Sequence, residues 1–270
     1  MYLVDQYVGP QAGTEGQLLH LIQHLDRSRY EPSMTVFRSS EYVERDQFPC
    51  SIRVLGITKL ASLWTIFRII RYVQTLRREN YRLVHCFFND SALIAPLFLW
   101  FFGIRVLVSR RDMGFWYTPR NLVVLRLVAP FVDGYAANSK AVKNLVRQQE
   151  WVPNKKITVI YNGYAPYTDH GCQATNASIL PDVPDSVPVV GIVANLKPIK
   201  RIETLVEAFA LASKQYPDAR LLIVGDTASM EGQSTLGELN ILARRLGVLA
   251  RIIYTGRVAD PKTYIKRFTV

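Results

Sequence analysis

The sequence predicts an α/β protein built from two parallel, doubly wound sheets, and three observations carry that prediction. Short apolar runs bounded by turn residues alternate with amphipathic stretches of helical period along almost the whole chain. Residues 166–188 interrupt this alternation with Pro, Asp, Thr, Asn and Ser in no period, and the pattern restarts at Val189. The 270 residues, 49% of them hydrophobic, suffice for two medium cores. The expected division is an N-terminal domain over 1–165, a linker over 166–188 and a C-terminal domain over 189–270.

Residues 2–4 read as a first strand, followed by a loop through Gly9, Pro10 and Gly13. A helix over 14–26 follows, with Leu18, Leu21, Ile22 and Leu25 as its apolar stripe. A strand at 33–37, a polar connection and an apolar segment at 52–55 lead into a helix over 63–78. That helix repeats Leu63, Ile66, Phe67, Ile70 and Val73 at helical spacing, with Arg68, Arg71, Arg77 and Arg78 interleaved. Strands at 83–88 and 105–108 flank an apolar helix in 92–104. This run contains Pro96 and falls short of the roughly 20 residues a spanning helix needs, so it is expected to be buried or interfacial. A strand at 134–138 enters a helix near Ser139, and a strand at 157–161 ends at Asn162-Gly163. The second domain has strands at 189–194, 220–224 and 251–254, helices at 202–216 and 236–246, and a last helix after Asp260-Pro261. A sheet of three strands is smaller than the usual about four to six, so this domain is expected to be cut short.

The formal charge is +11, and it is uneven: residues 1–165 hold 21 Lys/Arg against 12 Asp/Glu, whereas 166–270 hold 12 against 10. A first domain at +9 is expected to face something anionic, whether a membrane, a lipid phosphate or nucleic acid. Nucleic acid is the poorest fit, because aromatics and arginines do not interleave on a strand platform and no helix-turn-helix or Cys/His spacing occurs. Cys50, Cys86 and Cys172 are odd in number and lack metal-ligand spacing, which predicts reduced thiols serving as buried filler in a cytosolic protein. No basic segment followed by an apolar core opens the chain, so secretion is not expected. His20 and His24 lie one turn apart but share a polar face with Gln17 and lack an acidic co-ligand; no metal or cofactor is expected.

The most informative stretch is VVGIVANLKPIKRIETLVEAF over 189–209, where a strand empties into a basic turn and then a helix. Lys197, Lys200 and Arg201 stand near the amino end of the helix that carries Leu205, Val206 and Phe209. Cations and unpaired N–H groups there could converge on a phosphate or diphosphate; the plain alternative is a solvated basic loop.

With AGTEGQLLHLI (12–22), YRLVHCF (81–87), AANSKAV (136–142), VIYNG (159–163), LLIVGD (221–226) and RIIYTGRV (251–258), the chain resembles the retaining family-four nucleotide-sugar glycosyltransferases. Their architecture is GT-B, two Rossmann-like domains. The resemblance implies transfer of a sugar, with retention, from a nucleotide-diphosphate sugar to a glycan or lipid-linked acceptor. A non-catalytic nucleotide-sugar-binding module is the alternative. Beside the resemblance, the basic first domain and the amphipathic helix over 63–78 suggest a cytoplasmic protein in peripheral contact with an anionic leaflet at the inner face of the membrane; the plain alternative is a helix that packs on the sheet with its arginines in solvent. Gly13 and Thr14 match the family's first glycine turn at the donor diphosphate, although an ordinary strand-to-helix turn would read the same way. Asn195 stands where the family has Arg, Lys200 matches its Lys, and Lys197 or Arg201 could supply the missing charge. Gly225, Gly256, Arg257 and Val258 match positions lining the nucleotide pocket.

Relatives often carry a histidine after the strand at 105–108, and here Arg110, Arg111 and Asp112 stand there instead. Arg111 could pair a phosphate, and Asp112 could orient it or act as a base; alternatively the two form a structural Arg–Asp pair with Phe115 and Trp116 packed on it. His85 is either a reaction-centre residue or a core histidine bonded to backbone. Relatives continue with a Glu, seven residues, Glu pattern, so the resemblance implies a C-terminally truncated enzyme with weak or absent turnover.

Overall fold

A computed structural model describes residues 1–10, 13–45, 48–163, 183–258 and 260–270. The chain divides into two compact units, Met1–Ala165 and Pro166–Val270. Most of the expected linker, together with Cys172, lies outside the described residues.

In the first unit, β1 (Tyr2–Gln6) leads to α1 (Gly13–Gln23), β2 (Ser33–Arg38), α2 (Glu41–Glu44), β3 (Ser51–Val54) and α3 (Leu63–Arg78). Then come β4 (Leu83–Cys86), α4 (Asn89–Phe101), β5 (Arg105–Arg110), α5 (Pro119–Val128), β6 (Gly134–Ala137), α6 (Lys140–Gln149) and β7 (Ile157–Val159). All seven strands are parallel, in the order β3-β2-β1-β4-β5-β6-β7. The reversal of order at β1 is the mark of a doubly wound sheet. Alternation along β1 shows helices on both faces. Leu3 joins Ile69 and Val73 of α3, Ala92 and Leu99 of α4 and Val146 of α6 in one cluster. Tyr2 and Val4 join Leu18 and Ile22 of α1 in another.

Local chemistry sets the element ends. The Asp26 carboxylate accepts the Ser28 N–H at 3.0 Å, so the chain turns at once and α1 stops short of the expected Asp26. Gly103, at φ +71°, terminates α4, with the Ile104 N–H reaching back to the Leu99 carbonyl. Ser139 caps α6 by accepting the Val142 N–H at 3.2 Å. No helix was expected at α5, yet Pro119 occupies its first turn and the Thr118 hydroxyl accepts the Asn121 N–H. Helix α4 is capped from across the sheet. The buried Asp5 carboxylate on β1 accepts the Asp90 and Ser91 N–H groups, each at 2.7 Å. These charge-assisted bonds place a negative group at the positive end of the helix.

Helix α3 differs from its sequence reading. Its buried residues are Thr65, Ile69, Tyr72, Val73 and Leu76, so of the stripe Leu63, Ile66, Phe67, Ile70, Val73 only Val73 enters the core. The helix is apolar on two faces, and the sheet takes the one that repeats Ile69, Tyr72, Val73 and Leu76.

The second unit is small: β8 (Val189–Val193), α7 (Ile202–Ala212), β9 (Arg220–Val224), α8 (Met230–Arg245), β10 (Ile252–Gly256) and a short α9 (Lys262–Ile265). Its parallel sheet has the order β10-β9-β8. Helix α8 starts six residues before the expected Leu236, because Ser229 caps it by accepting the Gly232 N–H at 3.0 Å. On the open edge of β8, the Thr269 N–H meets the Val189 carbonyl at 2.7 Å and the Gly191 N–H meets the Val270 carbonyl at 2.9 Å. The Phe268 ring fills the space above Gly191.

Replacing Asp5 by Asn leaves one carboxamide oxygen for two N–H groups. The Asp5→Asn protein is expected to lose about 1–2 kcal/mol of stability, read from the midpoint of chemical denaturation.

Candidate functional site

Every strand of a parallel sheet ends on one edge, and ligands of doubly wound folds bind outside that carboxyl edge. In the first unit α1 begins there, with Gly13 exposed and Thr14 half-buried in its first turn. A Cβ on Gly13 would meet no atom within 4 Å, so neighbours leave Gly13 room for a side chain. The sterically demanding glycine is Gly16, not singled out by sequence. A Cβ there would lie 2.7 Å from the Pro10 carbonyl oxygen, so its absence lets the preceding loop close on the helix. Glu15 shares this terminus, and desolvation holds its carboxyl above the usual carboxylate range.

Arg111 ties several strand exits together. Its guanidinium donates to Asn162 Oδ1 at 2.6 Å and lies 5.6 Å from the centre of the Phe87 ring, while its carbonyl accepts from Asn138 Nδ2 at 3.0 Å. The adjoining Gly163 is held to α1, with Gln17 Nε2 donating to its carbonyl at 2.8 Å and its N–H donating to Gln17 Oε1 at 3.0 Å. Residues 162–163 thus link Arg111 to the second turn of the helix that Gly13 opens. Asn162, Gln17 and Phe87 were not singled out as site residues, since nothing local in the sequence pairs them with Arg111.

Asp112 shapes the following turn: Oδ1 accepts the Gly114 N–H at 2.7 Å, and Gly114 sits at φ +69°. Among the salt bridges of the described residues, the arginine paired beside Trp116 is Arg110, and its partner is Glu150 instead of Asp112. It is buried and grips the fully buried Glu150 through both carboxylate oxygens, at 2.7 and 2.9 Å. Tyr117 also hydrogen-bonds Glu150. Trp116 lies over the guanidinium, its ring centre 5.5 Å away, whereas Phe115 is exposed. Desolvation pulls the pKa of Arg110 down, but the charge and hydrogen bonds of Glu150, with Tyr117 and Tyr135, together raise it above its already high ordinary value.

His85 is the next-to-last residue of β4, opposite Tyr2 and Leu107. Its Nε2 is 2.9 Å from the Ser109 hydroxyl, a side-chain partner where a backbone one was expected, and its ring packs on Phe87 at 4.7 Å. Desolvation first, then the N-terminal ammonium and Arg111, push its pKa down to about 3, so the imidazole is neutral near pH 7. His24 Nδ1 lies 2.9 Å from the His20 carbonyl, and among the described residues no group of three His, Cys, Asp or Glu could hold a metal ion.

In the second unit the strand exits interlock through backbone. The Ala194 N–H bonds the Val224 carbonyl, the Leu196 N–H bonds that of Asp226, and the Gly225 N–H bonds that of Gly256. A Cβ on Gly225 would fall 1.9 Å from the Ala194 oxygen, so only glycine permits this approach. Asn195 Oδ1 faces the Asp226 N–H at 3.4 Å, which gives it a backbone-tethering position. Gly256 occupies φ +68°, Arg257 is exposed, and Val258 packs with Val189, Leu222 and Val224.

The basic turn forms a single 3-10 turn, Pro198–Lys200, before α7. Arg201 follows at φ +50°, ψ +42°, a left-handed conformation that a Cβ carbon disfavours and glycine adopts freely. Two of the three cations already have carboxylate neighbours: Lys197 lies 3.8 Å from Glu231, and Arg201 lies 2.7 Å from Glu203. Among the described residues Lys200 makes no salt bridge, and it is exposed on the carboxyl edge at the amino end of α7.

Residues 12–166 match the family model for Glycosyltransferase Family 4, and residues 187–270 match that for Glycosyl transferases group 1. The chain belongs to glycosyltransferase family 4. Solved structures with similar folds include Anabaena HepE in complex with UDP and glucose, 21% identical with a TM-score of 0.74, over 99% of this chain and 72% of that one. A glycosyltransferase from Rickettsia africae has a TM-score of 0.76 at 16% identity, over 99% and 71%. Sucrose-phosphate synthase from Thermosynechococcus elongatus has 0.71 at 17%, over 99% and 73%. At such identities the likeness is one of fold, and that fold is GT-B. No curated protein matched the sequence.

Two substitutions in the second unit should act in opposite directions. Gly225→Ala is expected to lower stability by about 3 kcal/mol or more, since backbone blocks the new methyl. Arg201→Gly is expected to raise it by about 1 kcal/mol through relief of the left-handed backbone, its exposed pair with Glu203 being worth little. Thermal unfolding of the two variants beside the parent measures both.

Proposed function

We propose that this chain transfers a sugar from a nucleoside-diphosphate sugar to an acceptor hydroxyl on a glycan or lipid-linked molecule, with retention at the anomeric carbon. The observation that carries the reading is the second unit's carboxyl edge. There Lys200 makes no salt bridge among the described residues, beside the positive end of α7 and next to strand exits whose backbones only Gly225 allows to close up. Family membership supports the transferase class. The Anabaena HepE complexes with UDP and with UDP-glucose support a nucleotide-sugar donor.

In this reading Lys200 and the N–H groups at the start of α7 receive the diphosphate, with Lys197 and Arg201 adding longer-range charge. Gly225, Gly256, Arg257 and Val258 border the nucleoside, and Asn195 holds the loop instead of contributing charge. As the bond from the anomeric carbon to the β-phosphate oxygen breaks, its electron pair stays on the phosphate. Lys200 stabilises that growing charge more in the transition state than in the ground state. The acceptor oxygen bonds the same carbon, and its proton passes to the departing diphosphate. In the first unit, the open terminus at Gly13 and Thr14 and the tethered Arg111 take anionic parts of the substrates. Asp112 orients the loop that carries Arg111, and neutral His85 supports Phe87 beneath it. The charge comes from the protein itself, so the reading assigns no metal ion or cofactor. It places the protein in the cytoplasm, at the inner face of the membrane.

Titration calorimetry with UDP and UDP-glucose tests this. The parent should bind both, Lys200→Ala should bind about tenfold more weakly, equivalent to about 1.4 kcal/mol, and a chelator should leave the affinity unchanged. No binding of any nucleotide sugar by the parent overturns the reading. Binding without sugar release on acceptor addition favours the non-catalytic module.

A further inference from the structure

We infer that the first two turns of α3 are a membrane-docking wedge for an anionic lipid surface, one that deepens the acceptor side of the function proposed above. The face of α3 turned away from the sheet carries Leu63, Trp64, Ile66 and Phe67. Leu63 is 86% exposed, Trp64 61% and Phe67 51%, so the second apolar face of the helix lies in water. Large apolar side chains grouped on one exposed face mark an interaction surface.

The wedge is held rigid. Trp64 and Phe67 stack with ring centres 5.6 Å apart and an interplanar angle of 19°. Arg68 donates to the Leu55 and Gly56 carbonyls at 2.7 and 2.6 Å while its guanidinium lies 5.2 Å from the centre of the Trp64 ring. Its stem and charge therefore brace the indole from behind, and little side-chain freedom remains to be lost on docking.

Charge selects the occupant. Residues 48–78 contain six Arg and Lys and no Asp or Glu, and among the described residues Arg53 alone of the six has a salt-bridge partner, Glu79. A second copy of the chain meeting this face about a twofold axis would set these cations against themselves. An anionic leaflet instead takes the aromatic and aliphatic side chains at its interface and pairs the flanking, exposed Lys59 and Arg71 with headgroups. Among the described residues no helix is long and apolar enough to cross a membrane, so attachment through α3 is superficial. Direction fits as well. Helix α3 starts after the carboxyl end of β3, so the wedge stands on the same edge of the sheet as Gly13 and Arg111, where a lipid-linked acceptor would present its hydroxyl.

Sedimentation of the full chain with phosphatidylcholine vesicles, with and without phosphatidylglycerol, tests the inference. At low salt the parent should bind the anionic vesicles, high salt should weaken binding, and Trp64→Ser/Phe67→Ser should weaken it at least about tenfold with an unchanged thermal midpoint. Trp64→Phe should still bind but lose most of the blue shift in tryptophan emission seen on adding vesicles. UDP affinity, measured on the same proteins, should not change, which separates failure of the wedge from failure of the donor site. A parent that stays in the supernatant at low salt, or a double variant that sediments like the parent, overturns the inference. So does a parental dimer that the double variant dissociates, or single-stranded DNA bound more tightly than vesicles.

Discussion

The first unit's carboxyl edge depends on one buried ion pair. Arg110 and Glu150 are both removed from water, which costs several kcal/mol per charge unless geometry and further hydrogen bonds compensate. The compensation is complete here. The guanidinium and carboxylate meet along two bonds, Tyr117 donates a third to Glu150, and Trp116 and Tyr135 cover the cation. Removing either partner would strand a charge in the core. The pair therefore fixes where β5 ends, and it delivers Arg111 and Asp112, the next two residues, to the edge in a set orientation. A buried charge pair directly behind Arg111 lets that residue stay polar and half-exposed while its backbone is held in place.

The second unit reaches the same end by backbone instead of charge. With Gly225 pressed against the Ala194 carbonyl, the exits of β8 and β9 cannot separate, and Asn195 and Asp226 are tied across the gap. Strain sits on the other side of that loop, in left-handed Arg201. A side chain kept at a position that glycine would fill at lower energy is consistent with a use for its charge. The two flanking cations have carboxylate neighbours, Glu231 and Glu203, whereas Lys200 makes no salt bridge among the described residues.

What could be read from sequence was local. Apolar runs such as those at 220–224 fixed the strands, and the basic turn after β8 was visible because its residues are consecutive. Helix α5 is hard to see in the sequence because its start, Thr118-Pro119, directly follows the arginines and aromatics of 110–117, which show no helical period. The burial of α3 could not be told from period alone, since two faces of one helix satisfied it and only the sheet decided between them. Long-range partners left no trace. Glu150 lies 40 residues from Arg110, Asn162 lies 51 from Arg111, and Gln17 lies 146 from Gly163. The roles expected for Lys200 and Arg111 came from residue type and position, whereas the groups that hold Arg111 in place appear only when the strands are assembled.

The cap that Asp5 places on α4 has a consequence for synthesis. Strand β1 sits in the middle of the sheet, and its neighbour β4 and the amino end of α4 are more than 80 residues farther along the chain. While the polypeptide emerges from the ribosome, β1 can pair with β2 but must wait with one edge bare and a carboxylate without its N–H partners. Until α4 has been made, this nascent chain is a half-sheet exposed to other chains, so slowed translation before Ser91 would lengthen its most aggregation-prone interval.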